Sequence, residues 1–233
     1  MYHSVDDLNV EELHGPLLQN ICLKGWIHAE GRNCDVLYSV LGETDQKHPM
    51  ISIDFEKPGR PGLRKLFGIV DVAFVSKPYA EFLAKDHLKK ENKPLTNERV
   101  IRGMLKEIGR ELKKSSVGYL TLGSDGCYLF WNRDCYHEIL KDIESGFWQN
   151  DWFFIHLPAP DMPGAIVETT GAGDAFIAGA LACIALWERG SGIVEAGILG
   201  NLIAGRKCRR RGYNNLWGSS PLERSLGIVA TDP

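Results

Sequence analysis

A glycine-rich turn in front of a long apolar run sets the strongest limit on the structure of this chain. An extended apolar lead-in occupies residues 164–167, and Gly171-Ala172-Gly173-Asp174 follows shortly after it. Residues 175–187 are apolar and rich in Ala, Leu and Ile, which predicts a helix that begins at the glycines. The segment therefore predicts a loop, a tight turn and a helix N-terminus in direct succession.

Such a helix N-terminus has unpaired backbone N–H groups and the positive end of the helix dipole, so it favours an anion. Gly171 and Gly173 lack a Cβ, which lets an anion approach the backbone closely. A carboxylate at Asp174 would then act as a base that takes a proton from an attacking hydroxyl, as phosphoryl transfer requires. The turn alone leaves a plain structural role open, because Asp is also a normal partner of a helix dipole. It is neither a P-loop nor a dinucleotide fingerprint, since the required spacings are missing.

Composition predicts a globular protein of the cytoplasm. The 233 residues are enough for one domain with a sizeable core, and the formal net charge of −3 gives no sign of a nucleic-acid or membrane surface. No run of about 18 or more apolar residues is present, so no membrane span is expected. The polar, acidic N-terminus does not resemble a signal peptide. The six cysteines are scattered without a Cys-x-x-Cys pair, which favours reduced thiols.

Strand-like and helix-like runs alternate along the chain. Predicted strands are residues 21–29, 50–55, 70–75, 117–122, 127–131 and 152–157. Predicted helices are residues 79–88, 97–113, 174–189 and 193–209. The alternation predicts an α/β fold around a mostly parallel sheet. Residues 123–126 predict a hairpin turn, and residues 145–151 predict a loop insertion between strands.

Four blocks of this sequence resemble one enzyme family. The signature Glu168-Thr-Thr-Gly-Ala-Gly-Asp174 is similar to the Asp-Thr-x-Gly-Ala-Gly-Asp motif of the ribokinase-like (PfkB) carbohydrate kinases. Three further blocks resemble the ketohexokinase (fructokinase) branch: residues 26–33, residues 71–77, and residues 204–208 followed by Gly212 and Tyr213. The blocks keep the family's order, so the chain is identified as a member.

The resemblance implies a ribokinase-like three-layer αβα fold with a mostly parallel central sheet, truncated at its N-terminus. The family's N-terminal part, with most of the sugar contacts and the small lid sheet, has no counterpart before Trp26. We therefore expect a polar lead-in at residues 1–20 that can form a helix, the C-terminal, nucleotide-binding portion of a kinase domain at 21–217, and a tail without a clear pattern at 218–233. Without the missing strands and lid, we expect poor solubility and little activity.

The resemblance also implies the roles of individual residues. Asp174 would be the catalytic base and touch the sugar hydroxyl, and Gly171, Ala172 and Gly173 would stabilise the transferring phosphoryl group. The residues implied in nucleotide binding are Arg32, Thr121, Gly123, Gly126, Asn201 and Ala204. ATP and Mg²⁺ are the implied cofactors. The family's Asn-x-x-Glu magnesium motif is absent, so no protein ligand for the metal is assigned. A K⁺ site is left open, and Glu168 in place of the usual Asp puts it in doubt.

Several of these residues have simpler interpretations. The turn at residues 123–126 also fits a plain hairpin, and Arg32 also fits a surface arginine paired with Asp35. The basic run at residues 206–211 would suggest nucleic acid by itself. Since it stands at the end of a predicted helix, we interpret it as a solvated helix end whose cations complement the dipole.

Two functions of different classes follow. The first is ATP-dependent phosphorylation of a sugar hydroxyl, from a ketose to a ketose phosphate. The alternative is a truncated, catalytically weak nucleotide-binding or regulatory isoform. A nucleic-acid-binding module would depend on the basic run alone. The expected partners are a nucleotide and a small sugar, with no nucleic acid and no membrane, and a homodimer is left open.

Overall fold

The computed structural model describes residues 25–42, 49–89, 96–134, 146–186, 192–218, 220 and 223–224. The lead-in at residues 1–20 lies outside the described residues, as does most of the tail after residue 218. The chain divides into two compact units. The first contains Met1–Gly118 and Gln149–Trp152, and the second contains Tyr119–Trp148 and Phe153–Pro233.

The first unit is built on three parallel strands. These are β1 (Trp26–Glu30), β2 (Met50–Phe55) and β3 (Val72–Ser76). β2 pairs with β1 on one side and with β3 on the other, with Ile51 opposite Ile27 and Ile53 opposite Ala73. Both faces of β3 are buried along Val72–Val75, which is typical of a strand inside a parallel sheet covered by helices.

Three helices accompany these strands: α1 (Cys34–Gly42), α2 (Lys77–Lys89) and α3 (Asn97–Ile108). A short 3₁₀ helix lies at Leu63–Gly68. The hydroxyl of Thr96 caps α3 by accepting from the Arg99 N–H at 3.3 Å. α2 and α3 approach so closely that a Cβ on Gly103 would lie 2.8 Å from the Cβ of Ala84.

The second unit contains most of β4 (Val117–Thr121), β5 (Cys127–Asn132), β6 (Phe147–Gln149) and β7 (Trp152–Leu157). Hydrogen-bonded neighbours follow the order β4-β5-β7-β6. The short connection at residues 122–126 makes β4 and β5 antiparallel. Two long helices, α4 (Ala172–Leu186) and α5 (Ile193–Cys208), pack on each other through glycines. A Cβ on Gly179 would lie 3.1 Å from the Cα of Gly200.

The structure departs from the sequence predictions in several places. β2 and β7 have the predicted bounds, but α1 was not predicted, and α3 ends at Ile108 rather than at residue 113. The loop insertion at residues 145–151 is wrong, because β6 lies there and a left-handed residue, Asn150 with φ 54°, follows it. Within the tail expected to lack a pattern, Glu223 is fully buried. None of the helices in the described ranges is long and apolar enough to cross a membrane.

Candidate functional site

The turn before α4 is held by the end of α5. The carbonyl of Cys208 accepts hydrogen bonds from the N–H groups of Val167 and Glu168, at 2.7 and 3.1 Å. The chain then turns at Gly171, which has a φ of 79°, and the Ala175 N–H makes the first helical bond to the Gly171 carbonyl at 3.0 Å. A left-handed residue at this place favours glycine, which is why the signature needs Gly171.

The N-terminus of α4 is open. No backbone carbonyl in the described part of the chain accepts from the N–H groups of Gly173 and Asp174, as expected for the first turn of a helix. No atom lies within 4 Å of the place where a Cβ on Gly173 would be, and the side chain of Asp174 is exposed. The turn thus offers N–H donors, the dipole of a 15-residue helix and an accessible carboxylate at one point.

Tyr213 lies directly on this turn. A Cβ on Gly171 would overlap the Tyr213 hydroxyl, so any residue other than glycine at position 171 would collide with this side chain. The ring of Tyr213 in turn faces the ammonium of Lys207, whose Nζ is 5.4 Å from the ring centroid. Sequence reasoning placed Tyr213 in a family block but gave it no role.

Glu168, at the start of the signature, is engaged by a buried lysine. The Lys207 Nζ lies 2.7 Å from the Glu168 Oε2, and the side chain of Lys207 is only 1% exposed. The Gly212 N–H also donates to the same oxygen at 3.4 Å. The hydrogen bond from Lys207, supported by the one from Gly212, lowers the pKa of Glu168 below its ordinary value.

The second candidate turn follows β4. After Thr121, the Leu122 N–H donates to the Gly126 carbonyl at 2.8 Å and the Gly126 N–H donates to the Gly123 carbonyl at 3.1 Å. Gly126 packs so tightly that a Cβ there would overlap the Leu157 carbonyl at the end of β7. Gly123 has a φ of 64° and faces open space. Of the two glycines, Gly123 is therefore the accessible one and Gly126 the packed one.

Asn201 connects α5 to the end of β7. Its side chain is 5% exposed, and its amide nitrogen donates to the carbonyls of Leu157 at 3.0 Å and Pro158 at 3.4 Å. Ala204 lies one turn further along α5 and is half-buried. Lys207 is six residues after Asn201, about 9 Å along the same helix. α5 therefore contacts the end of β7 through Asn201 and the turn before α4 through Lys207.

Arg32 belongs to the first unit, whereas both turns belong to the second. It forms an ion pair with Glu30, and its side chain is 68% exposed. Asp35, the alternative partner considered from the sequence, pairs with Lys65 at 3.3 Å instead. A contact between Arg32 and a nucleotide stays a prediction.

The basic run at residues 206–211 stands at the end of α5 as expected, and Arg210 and Arg211 are exposed, but the rest of the run is not solvated as predicted. Besides the buried Lys207, Arg206 binds both carboxylate oxygens of Glu223 at 2.5 and 3.0 Å. Arg209 donates to the carbonyls of Pro163 at 2.9 Å and Met162 at 2.7 Å. These side chains thus attach neighbouring segments to α5. Sequence reasoning missed this because all of their partners named here lie outside the run.

Comparison with known proteins assigns a family to this arrangement. The model of the pfkB family carbohydrate kinases matches residues 32–218. The chain is 28% identical over 203 residues to a ketohexokinase of Mus musculus, a match that covers 82% of this chain and 55% of that protein.

Solved structures of low identity confirm the ribokinase-like α/β fold. A ribokinase of Thermotoga maritima is 16% identical with a TM-score of 0.60, covering 94% of this chain and 60% of that one. An adenosine kinase of Anopheles gambiae, solved with P1,P4-di(adenosine-5) tetraphosphate, is 23% identical with a TM-score of 0.62, covering 88% and 57%. An aminoimidazole riboside kinase of Salmonella enterica, solved with its riboside and an ATP analogue, is 17% identical with a TM-score of 0.54, covering 87% and 61%. The chain spans little more than half of the length of these relatives.

Proposed function

The chain belongs to the pfkB family of carbohydrate kinases, and from that membership we propose that it binds ATP and transfers its terminal phosphoryl group to a sugar hydroxyl. The observation that carries the proposal is the open start of α4, where the N–H groups of Gly173 and Asp174 donate to no backbone carbonyl in the described ranges and the carboxylate of Asp174 is exposed. The Ala172 N–H, in contrast, donates to the Thr169 carbonyl at 3.0 Å. A ketose is the favoured acceptor, because the curated relative described above is a ketohexokinase. Ribokinase and adenosine kinase among the similar structures make ribose and a nucleoside the competing acceptors.

In the proposed reaction, Asp174 accepts the proton of the acceptor hydroxyl while the oxygen of that hydroxyl forms a bond to the γ-phosphorus. The bond between that phosphorus and the bridging oxygen breaks, and ADP leaves. The N–H groups of Gly171 and Gly173, together with the dipole of α4, stabilise the negative charge on the transferring group. Gly123 offers a second backbone surface, open to solvent, for the nucleotide.

Magnesium would enter this reaction with ATP. In the described ranges no group of three or more His, Cys, Asp or Glu side chains is placed to hold a metal ion. Mg²⁺ commonly keeps few protein ligands and binds substrate phosphates, so it would be held mainly by the phosphates of ATP. A cytoplasmic location and a homodimer stay predictions from the sequence.

The test uses the full chain and one matched pair of variants. ADP and ATP, each with Mg²⁺, are titrated by calorimetry, and ADP release is then measured with fructose, ribose and adenosine. Asp174→Asn is expected to lower turnover by about a hundredfold or more while nucleotide affinity stays close to that of the unmodified chain. Asp161→Asn, which removes an exposed carboxylate of the same unit, is the control.

Each outcome separates the two functions. Turnover that disappears in Asp174→Asn and survives in Asp161→Asn supports the kinase. Nucleotide binding without turnover on any of the three acceptors favours the alternative, a nucleotide-binding protein with weak catalysis. No heat on titration and no rise in melting temperature with nucleotide would refute both.

A further inference from the structure

We propose that Lys207 is a positioning residue that holds the anion-binding turn at residues 167–174 in its working conformation. The proposal rests on the proposed function, because it assigns to Lys207 the support of the turn that would bind the phosphoryl group. Lys207 acts through Glu168 and Tyr213, which contact the turn at its beginning and at its tightest point.

The first support is the ion pair with Glu168. The Lys207 ammonium is 1% exposed and lies 2.7 Å from a carboxylate that is 40% exposed. An exposed pair of this kind would exchange readily with water and constrain little. A buried ammonium cannot exchange its partner for water, because without the carboxylate its charge would be buried and unpaired inside the protein. Glu168 is therefore fixed to α5 for as long as Lys207 stays charged and buried.

The main chain of Glu168 is fixed at the same place. Its N–H donates to the carbonyl of Cys208 at 3.1 Å, while its Oε2 accepts from the Gly212 N–H at 3.4 Å. Both bonds run to the end of α5 and the loop after it. Since only a few residues separate Glu168 from Gly171, the direction in which the turn enters α4 depends on this attachment.

The second support acts on Gly171. The Lys207 Nζ lies 5.4 Å from the centroid of the Tyr213 ring. The hydroxyl of that ring occupies the place where a Cβ on Gly171 would be. A cation over an aromatic ring is attracted to it, so Lys207 also biases the position of Tyr213. One buried ammonium thus connects the start of the turn to the side chain that covers its left-handed residue.

The effect of losing this support should be local. A displacement of about 1 Å in a site that stabilises a transition state can lower a rate by about a hundredfold. Lys207→Gln removes the charge and keeps most of the side-chain length. Glu168→Gln removes the carboxylate charge of the same pair at its more exposed partner, while its amide oxygen can still accept a hydrogen bond from Lys207. It is therefore the variant to use if Lys207→Gln does not fold.

Arg206→Gln is the matched control. Arg206 precedes Lys207 on the same helix, and its pair with the buried Glu223 has a similar distance of 2.5 Å. Its partner, however, belongs to the C-terminal segment and does not contact the turn. Both substitutions remove one cation from the end of α5, so a general loss of stability affects them alike.

The first measurement needs no nucleotide. Amide hydrogen exchange of the full chain, followed by mass spectrometry, should become faster in Lys207→Gln and Glu168→Gln for peptides that cover residues 167–175. In Arg206→Gln it should become faster for peptides that contain Glu223. Unchanged exchange at residues 167–175 in both variants of the pair would overturn the proposal, as would an equal increase there in Arg206→Gln.

The second measurement separates the role of Lys207 from the proposed function. The affinity of Lys207→Gln for the non-hydrolysable analogue AMP-PNP is expected to fall by about tenfold more than its affinity for ADP, since the turn would contact only the terminal phosphate. A fall that is equal for both nucleotides would overturn the proposal. If the unmodified chain binds neither nucleotide, the proposed function fails, and the exchange experiment still decides whether Lys207 holds the turn.

Discussion

Replacing Glu223 with Gln is expected to destabilise the second unit strongly, although Glu223 lies far along the chain from the signature. The side chain is 0% exposed, and Arg206 donates to both of its oxygens at 2.5 and 3.0 Å. The backbone N–H groups of Gly218 and Ser220 add hydrogen bonds at 2.6 and 2.9 Å. A glutamine cannot accept from all of these donors, and it leaves the charge of Arg206 without a carboxylate.

The pKa of Glu223 gives the magnitude. Burial alone would raise it, but the hydrogen bonds from Arg206, Ser220 and Gly218 outweigh burial and lower the pKa from 4.5 to about 2. This difference corresponds to about 3 kcal/mol, at about 1.4 kcal/mol for each tenfold change in proton affinity. Because the folded pKa is below the unfolded one, the contribution is fully present above about pH 5 and is lost as the pH falls towards 2.

Urea titrations of the full chain between pH 7 and acid pH test this reasoning. At pH 7, Glu223→Gln should lower the free energy of unfolding by about 3 kcal/mol and the melting temperature by about 6–12 °C. The difference from the unmodified protein should shrink as the pH falls below about 5. Asp161→Asn removes an exposed carboxylate of the same unit and should stay within about 0.5 kcal/mol. If the two variants were equally stable, or if their difference did not change with pH, the assignment of a charged, buried Glu223 would be refuted.

Two glycine substitutions test the backbone of the candidate turns. Gly171→Ala should lower the free energy of unfolding by about 1–3 kcal/mol, because a φ of 79° and the Tyr213 hydroxyl leave no room for a Cβ, and AMP-PNP affinity should fall with it. Unchanged affinity in a folded variant would separate the turn from nucleotide binding. Gly126→Ala, whose Cβ would overlap the Leu157 carbonyl, should cost about 3 kcal/mol or more in thermal unfolding, whereas Gly123→Ala, which faces open space, should cost about 1 kcal/mol. Equal losses in these two variants would contradict the distinction between a packed and an open glycine.

Much of the fold could be predicted from the sequence because local patterns carry it. β2 and β7 were bounded correctly, since each is a short apolar run that ends shortly before a proline. β6 was not predicted because it has only three residues, which is too short to show an alternating pattern. The contacts of its aromatic side chains form only in the folded structure. Phe147 then stacks on Phe154 with ring centroids 5.5 Å apart, a contact that no local pattern reveals.

The candidate site could be predicted only in part, for a related reason. The turn at Gly171–Asp174 is a contiguous motif, and its chemistry follows from residue types at fixed spacing. The groups that support it are distant in sequence, because Lys207 reaches back 39 residues to Glu168 and Arg206 reaches forward 17 residues to Glu223. In one dimension these cations form a basic run, which is typical of a surface. Only the fold shows that two of them are held by carboxylates.

Asn201 has observed contacts that differ from its predicted one, and the difference can be tested. The family resemblance places it beside the nucleotide, but its amide nitrogen donates to the carbonyls of Leu157 and Pro158. Asn201→Ala would leave these acceptors without their donor, so we expect the free energy of unfolding to fall by about 1–3 kcal/mol in a urea titration. Ala204→Gly, one turn along α5, is the control for helix propensity, with an expected loss of about 1 kcal/mol. The affinity for ADP should fall in Asn201→Ala only if the end of β7 shifts, because Gly126 of the turn at residues 123–126 packs on that end. A variant with unchanged stability and no measurable ADP binding would instead make Asn201 a direct nucleotide contact, and the structural role argued from its hydrogen bonds would be wrong.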